Sequence, residues 1–283
     1  MSEPKRHHFV PQLLLRNFVN DDGLLFYFDK SAPYPAIRAR SPKVVLNEWH
    51  LYTSVGSDGS RDVSQELAYS RLENLAKPVI DKIIAAARTR QVPHLSTMEK
   101  RTWDVFLYEQ WRRVPEVLKG LYSEEDWQRQ INDAVLDIEA KIDRPLSADE
   151  CAEVASFRDT ARFRQSVLVK ALGKQSRRTV GVLNSRGLSI GVAPQGRSFV
   201  IGSKPTVRFS SPTSTRLDDP GVEFWLPIAH DVIVSPGSAD PSYEQLFFLD
   251  TPMVRKVNAM ATGQSTKIVA RSESLLRSLL RPR

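Results

Sequence analysis

The sequence predicts an α+β fold, and three observations lead to that prediction. Short aromatic and β-branched runs lie towards both ends of the 283-residue chain, its middle is amphipathic with a helical period, and regular strand–helix alternation is lacking. The order is strands, helices, strands and helices, which differs from the repeating βαβ order of a parallel sheet. Because no strong linker interrupts the chain, we expect one domain over residues 1–283, with a mostly helical section at 62–180.

The N-terminal third is expected to be mixed. Residues 9–11 should be extended, because Pro11 disfavours helix in the residue before it. Residues 12–18 place Leu14, Leu15 and Phe18 on one helical face, and the Asn-Asp-Asp-Gly stretch that ends at Gly23 signals a turn. The aromatic run 24–28 and the segment 49–53 are then predicted to be short strands.

The middle of the chain is predicted to be helical, beginning with residues 62–88, where Pro78 should introduce a kink. Serines that can cap a helix mark three further helix starts, two of them as capping boxes with a glutamate three residues later: Ser96 with Glu99, Ser123, and Ser147 with Glu150. The last of these should open one long helix that runs towards Thr179.

The last third is expected to form an antiparallel sheet followed by helices. Five short apolar runs separated by Gly, Pro, Ser and Asp predict strands at 189–192, 198–201, 206–209, 223–226 and 232–235. Helices are predicted at 251–261 and 272–280, whereas residues 267–270 fit either a helix or a strand.

Composition limits the class of protein. Hydrophobic residues make up 41% and charged residues 26% of the chain, which is an ordinary globular balance. A single cysteine, Cys151, excludes internal disulfides and a zinc site built from cysteines. Because neither a run of about 18 apolar residues nor an apolar leader is found, we expect a soluble, cytoplasmic protein without a membrane partner.

The net charge of +7 is compatible with a nucleic acid or another polyanion as partner, and its distribution is uneven. Residues 121–157 carry ten acids and three bases, whereas residues 158–186 carry eight bases and one acid. Two interpretations stay open for the basic stretch around residue 170. It either neutralises a neighbouring acidic helix or follows the phosphates of a nucleic acid.

The densest group of chemically versatile residues is the N-terminal segment Arg6-His7-His8-Phe9-Val10-Pro11-Gln12. In an extended chain His7 and His8 point to opposite faces. An imidazole can act as general base, general acid or metal ligand near neutral pH. The pattern resembles the first strand of HNH-type nucleases, which implies a histidine that activates water beside a metal. The alternative is that both histidines hold the N-terminus on the core through hydrogen bonds.

The same segment, followed by Leu15-Arg16-Asn17-Phe18, resembles the start of the bacterial "domain of unknown function 4238" family, and looser similarities extend over nearly the whole chain. They lie at 24–30, 44–52, 72–73, 110–115, 224–228 and 257–258. Some members are implicated in defence against bacteriophage, so the resemblance implies that role here. The family often has Ser-Asp-x-Pro-Val where this chain has Gly202-Ser203-Lys204-Pro205-Thr206, so a functional Asp in relatives would be replaced by Ser203.

Arg113 is the third candidate catalytic residue. It precedes Val114-Pro115 at a predicted helix end, where a guanidinium could clamp a phosphate or carboxylate. Alternatively it pairs with Glu109 or Glu116, or binds carbonyl groups at the helix end. Candidate binding residues lie beside the histidine pair: Gln12, Arg16 and Asn17.

Other catalytic motifs are missing from the sequence, which has no GxGxxG, Walker or GxSxG pattern. Acids around Cys151 oppose a thiolate there, and no metal ligand set or cofactor follows from the residues. The leading hypothesis is a nucleic-acid-targeting, nuclease-like protein in phage defence, with His8 as general base and Arg113 as charge stabiliser. The alternatives are a non-enzymatic sensor or interaction module, and an enzyme whose small anionic substrate is held by Arg113 in a deep pocket.

Overall fold

The computed structural model describes residues 6–56, 60–118, 120, 122–158, 161–209 and 222–281. The chain divides into two compact units. The first unit comprises residues 1–7, 49–68 and 115–174, and the second comprises residues 8–48, 69–114 and 175–283. The helical section 62–180 is therefore shared, because residues 115–174 cluster with the short strands before them and not with the later sheets.

The strands are, in chain order, β1 Arg6–His8, β2 Leu25–Asp29, β3 Arg38–Arg40, β4 Asn47–Trp49, β5 Ser54–Val55, β6 Arg61–Asp62, β7 Leu188–Val192, β8 Ile201–Gly202, β9 Val207–Phe209, β10 Glu223–Pro227, β11 Val232–Pro236, β12 Glu244–Phe248 and β13 Lys267–Ala270. The helices are α1 Gln12–Leu15, α2 Ser64–Arg88, α3 Thr97–Arg112, α4 Pro115–Leu118, α5 Glu124–Ile142, α6 Ala148–Arg158, α7 Ala161–Leu172, α8 Arg177–Asn184, α9 Thr251–Gln264 and α10 Glu273–Leu280. The predicted α+β class is confirmed.

The first unit is mainly helical, and in it one base of the basic stretch pairs with one acid of the acidic stretch. Arg164 of α7 forms an ion pair with Glu124 of α5 at 3.1 Å, and its guanidinium lies over the Trp127 ring. The Ser166 hydroxyl of α7 accepts a hydrogen bond from the Val55 N–H of β5. At Arg164, the basic stretch therefore neutralises a neighbouring acidic helix, which is the first of the two interpretations of its charge.

The long helix predicted from residue 148 towards Thr179 is wrong in extent, because the region contains α6, α7 and α8. Helix α7 ends at Leu172, and Gly173 follows, a residue with low helix propensity. Helix α8 then begins with its own cap, since the Ser176 hydroxyl accepts a hydrogen bond from the Thr179 N–H. By contrast, α2 runs continuously through Pro78, and the predicted capping box of α3 is formed between Ser96 and Glu99.

The second unit contains two larger sheets. One has the strand order β12-β7-β11-β10-β9 and the other β3-β2-β13-β8. All described pairings in them are antiparallel except that of β12, which lies parallel to β7. The ambiguous segment 267–270 is the buried strand β13, which pairs with both β2 and β8. Helices α9 and α10 contact these sheets, and α10 lies on β13 and β2.

In the described part of the chain, no helix combines the length and apolar character that crossing a membrane requires.

Candidate functional site

His7 lies in the first unit and is fully buried. Its Nδ1 accepts a hydrogen bond from the Tyr52 N–H at 2.9 Å, and its ring stacks on the Tyr52 ring at 5.7 Å between centroids. The Glu66 carboxylate lies 3.9 Å from the same nitrogen, and the His50 ring meets the imidazole edge-on. These contacts correspond to the structural interpretation, in which the imidazole fixes the backbone of the Trp49–Thr53 segment.

His8 lies in the second unit and is half-buried, so the two histidines have different surroundings, as an extended strand requires. Its Nε2 lies 3.3 Å from the Pro42 carbonyl oxygen and 3.5 Å from the Asn47 amide nitrogen. The tautomer that carries its proton on Nε2 can donate a hydrogen bond to this carbonyl. Among the three candidate catalytic side chains, this one retains contact with solvent in the structure.

Arg113 is fully buried in the second unit and forms the C-cap of α3. Its Nε donates a hydrogen bond to the Phe9 carbonyl at 3.1 Å, and its Nη1 pairs with Glu73 at 2.9 Å. Gln110 accepts a further bond, and the Tyr69 ring lies 4.9 Å from the guanidinium carbon. Arg113 therefore holds the main chain of the N-terminal motif beside His8.

The acidic partner of Arg113 differs from those considered from sequence. Glu109 instead forms a buried ion pair with Arg112 at 2.9 Å and accepts a hydrogen bond from Gln175. The rotation of α3 places residues 109 and 113 on one face, but Glu73 of α2 reaches the guanidinium. Glu73 could not be predicted from sequence as the partner of Arg113, because residue spacing within α3 identifies only neighbours in the same helix.

The candidate binding residues have separate environments. Arg16 is exposed, and its Nη2 lies 3.5 Å from the Gln12 side-chain oxygen one helical turn earlier. Asn17 points to the β10–β11 turn, where its amide donates to the Ile228 carbonyl at 2.9 Å and its own carbonyl accepts from the His230 N–H. Asn17 thus positions a histidine that sequence reasoning missed.

His230 and Asp231 form a polar cluster at that turn. The His230 Nε2 lies 4.0 Å from an Asp231 carboxylate oxygen, and Arg88 binds the same carboxylate with two hydrogen bonds of 2.9 Å. Burial lowers the pKa of His230 and so favours the neutral imidazole. The nearby Asp231 carboxylate acts in the opposite direction but has the smaller effect. In the sequence, this cluster could have been found only from the His-Asp pair between two predicted strands. The ion pair of Arg88 with Asp231 depends on the packing of α2 and could not be predicted.

Helix α3 carries a second buried charged pair. The Lys100 ammonium lies 2.7 Å from both carboxylate oxygens of Asp104, and it also approaches the Leu183 carbonyl at 3.4 Å. Burial raises the pKa of Asp104 to about 7, because the loss of hydration outweighs the attraction of the ammonium group. The ion pair is therefore held inside the second unit at an electrostatic cost.

Ser203 is buried and belongs to the scaffold. Its hydroxyl accepts hydrogen bonds from the N–H groups of Thr266 and Lys267, next to the pairing of β8 with β13. A carboxylate at this position could accept the same two bonds. Ser203 therefore occupies a position with a structural role.

A cavity of about 560 Å³ lies between α9, the start of α10 and the loop before β8. The polar groups that line it include the side chains of Arg197, Arg255, Asn258, Ser272, Ser274 and Ser278. In the described residues, no group of three or more His, Cys, Asp or Glu side chains is arranged to hold a metal ion.

Together these features define an α+β protein whose N-terminal His-His-Phe-Val-Pro-Gln segment is bound by a buried arginine from the helical middle. The chain belongs to the family described as Protein of unknown function (DUF4238), whose model matches residues 6–274. The expected membership of the chain in that family is thereby confirmed. Neither a curated protein nor a solved structure matches the chain.

Proposed function

We propose that this chain binds nucleic acid through its second unit. The observation that carries the proposal is the segregation of charge between the units. The second unit contains 28 Lys and Arg against 17 Asp and Glu, a net charge of +11, whereas the first contains 12 against 16, a net charge of −4. A phosphate backbone is attracted by such an excess, and the attraction is independent of base sequence.

Several cations of the second unit are available for this role. The strand β3 forms one edge of its sheet, and both of its arginines, Arg38 and Arg40, are exposed. Arg177 of α8 is exposed as well, and it forms no ion pair with any described residue. Eight carboxylates of the unit are already engaged by its own bases: Asp21, Glu73, Asp81, Glu99, Asp104, Glu109, Asp231 and Glu273. Because each pair takes up one acid and one base, 20 bases and 9 acids lie outside these pairs, and the net charge stays at +11.

Hydrolysis of the bound nucleic acid and a role in cytoplasmic phage defence form the second part of the proposal. Both rest on the motif and the family resemblance. His8 is the candidate general base, since its imidazole is partly exposed and lies beside Asn47. His7 and Arg113 then act as positioning residues, because their side chains bind backbone groups of the first and second unit respectively.

Salt dependence of oligonucleotide binding tests the first part. We expect the association constant to fall steeply with salt, and the paired changes Arg38→Gln/Arg40→Gln to reduce the slope of log K against log salt by about 1–2. The matched control is Lys141→Gln/Lys170→Gln, which removes the same charge from the first unit and should leave the slope unchanged. Equal effects of the two pairs would contradict the proposal.

The substitution His8→Asn tests the second part. It should abolish cleavage of a bound oligonucleotide and restriction of phage, while affinity for the oligonucleotide stays within about twofold. His94→Asn is the matched control, because His94 is exposed in the same unit and its φ of +50° is a conformation that Asn tolerates. Binding without cleavage by the unmodified protein would instead indicate an interaction module.

A further inference from the structure

We propose that the cavity between α9 and α10 binds a phosphate monoester. This site lies apart from His8 and does not depend on the proposed nucleic-acid binding. Its volume of about 560 Å³ lies in the range of small-molecule sites, so it can hold a phosphate together with an attached group such as a nucleoside.

Two arginines supply the charge. Arg197 and Arg255 both line the cavity, and neither forms an ion pair or a side-chain hydrogen bond with any described residue. The described lining contains no aspartate or glutamate that could neutralise them. Two uncompensated guanidinium groups beside one cavity favour an anion, and guanidinium donors match the geometry of phosphate oxygens.

The hydroxyl of Ser272 adds a neutral donor to the lining. The Ser272 hydroxyl oxygen accepts hydrogen bonds from the Leu275 N–H and from the Ser274 hydroxyl, which leaves its own hydrogen available to a ligand. Ser278 also lines the cavity, but its hydroxyl already donates a hydrogen bond to the Leu275 carbonyl at 2.8 Å. One hydroxyl donor together with two guanidinium groups suits the three peripheral oxygens of a phosphate monoester better than the two of a carboxylate.

The loop that carries Arg197 is fixed before any ligand arrives. Residues 194–197 form a turn in which the Arg197 N–H donates to the Pro194 carbonyl, and Gly196 has the positive φ of +75° that a type II turn requires. Asn258 of α9 then binds both the Ser198 carbonyl and the Val200 N–H. A loop held in this way lowers the entropic cost of ordering a site around its ligand.

Calorimetric titration of the full chain with inorganic phosphate, adenosine 5′-monophosphate and adenosine tests this site. We expect the two phosphate compounds to bind and adenosine not to bind. Because each charge-assisted hydrogen bond to a guanidinium contributes about tenfold or more, Arg197→Gln/Arg255→Gln should weaken binding by about 100-fold. The double variant Arg197→Lys/Arg255→Lys keeps the charge but loses the planar donors. Its phosphate affinity should lie between those of the unmodified protein and the Arg197→Gln/Arg255→Gln protein.

Arg177→Gln/Arg186→Gln is the matched control, since it removes the same charge from the same unit outside this cavity. It should leave phosphate affinity within about twofold while reducing the salt slope for oligonucleotides by about 1–2. A 5′-phosphorylated oligonucleotide that outcompetes its 5′-hydroxyl counterpart would identify a nucleic-acid end as the source of the phosphate, and equal competition would identify a free phosphorylated metabolite. Absence of binding by both phosphate and the monophosphate at about 10 mM, or unchanged affinity in the Arg197→Gln/Arg255→Gln protein, would overturn the inference.

Discussion

Arg113→Ala is expected to lower the free energy of unfolding by about 3–5 kcal/mol. The substitution removes a fully buried guanidinium and leaves the Phe9 carbonyl and the Gln110 side-chain oxygen without this donor. Glu73 also loses its cation, although its partial exposure allows some of its charge to be hydrated. Urea denaturation followed by far-ultraviolet circular dichroism measures the loss.

Arg101→Ala is the control for Arg113→Ala, because Arg101 is exposed on the same helix and forms no described ion pair. It should change the unfolding free energy by no more than about 0.5 kcal/mol. Arg113→Lys should lie between the two, since an ammonium can keep one partner but cannot serve all of them. A loss below about 1 kcal/mol for Arg113→Ala would show that the guanidinium does not hold the N-terminal motif. Because Arg113→Ala is expected to destabilise the fold, inactivity of this variant would not by itself show that Arg113 is catalytic.

The second large effect concerns the buried pair of Lys100 and Asp104. Asp104→Leu alone leaves an uncompensated ammonium in the interior and should cost about 3–5 kcal/mol of unfolding free energy. The double change Lys100→Met/Asp104→Leu removes both charges at similar volume and should be neutral or stabilising by about 1–4 kcal/mol. Denaturation of Lys100→Met, Asp104→Leu and the double variant gives the coupling energy. A double variant less stable than Asp104→Leu would contradict this account.

The pH dependence of stability gives an independent measure of the same pair. Because burial raises the pKa of Asp104 from 3.8 in the unfolded chain to about 7 in the folded protein, the folded state binds the proton more tightly. The contribution of this group to stability is therefore fully present below pH 3.8 and is lost as the pH rises through 7. Between these values it should reduce the unfolding free energy by up to about 1.4 kcal/mol per pH unit. The Lys100→Met/Asp104→Leu protein should lack this component, so parallel pH curves for it and the unmodified protein would exclude the raised pKa.

Local signals in the sequence indicated much of the fold. The capping boxes at Ser96 and Ser147 mark true helix starts, and the aromatic run 24–28 becomes β2 with a shift of one residue. The strand β12 was missed because residues 244–248 have no clear alternation, and its pairing with β7 depends on residues far apart in sequence. Division into two units could not be inferred either, because three of its five boundaries fall within β1, β4 and α2, and the other two lie in short connections between helices.

The candidate site was indicated in part. The sequence drew attention to Arg113 and Asn17 as candidate site residues, and in the structure both side chains bind backbone carbonyls of the second unit. Their partners, Glu73 and the His230 turn, come from other elements and depend on tertiary packing. The two arginines of the cavity, Arg197 and Arg255, lie 58 residues apart and share no motif, so only the fold brings them to one surface.

Cross-linking a photoreactive oligonucleotide to the full chain, followed by mass spectrometry of the peptides, tests the central claim most directly. The charge segregation predicts cross-links within residues 8–48, 69–114 and 175–283, and their loss as salt is raised. Cross-links concentrated in residues 115–174 of the acidic first unit, or a yield that does not respond to salt, would contradict it.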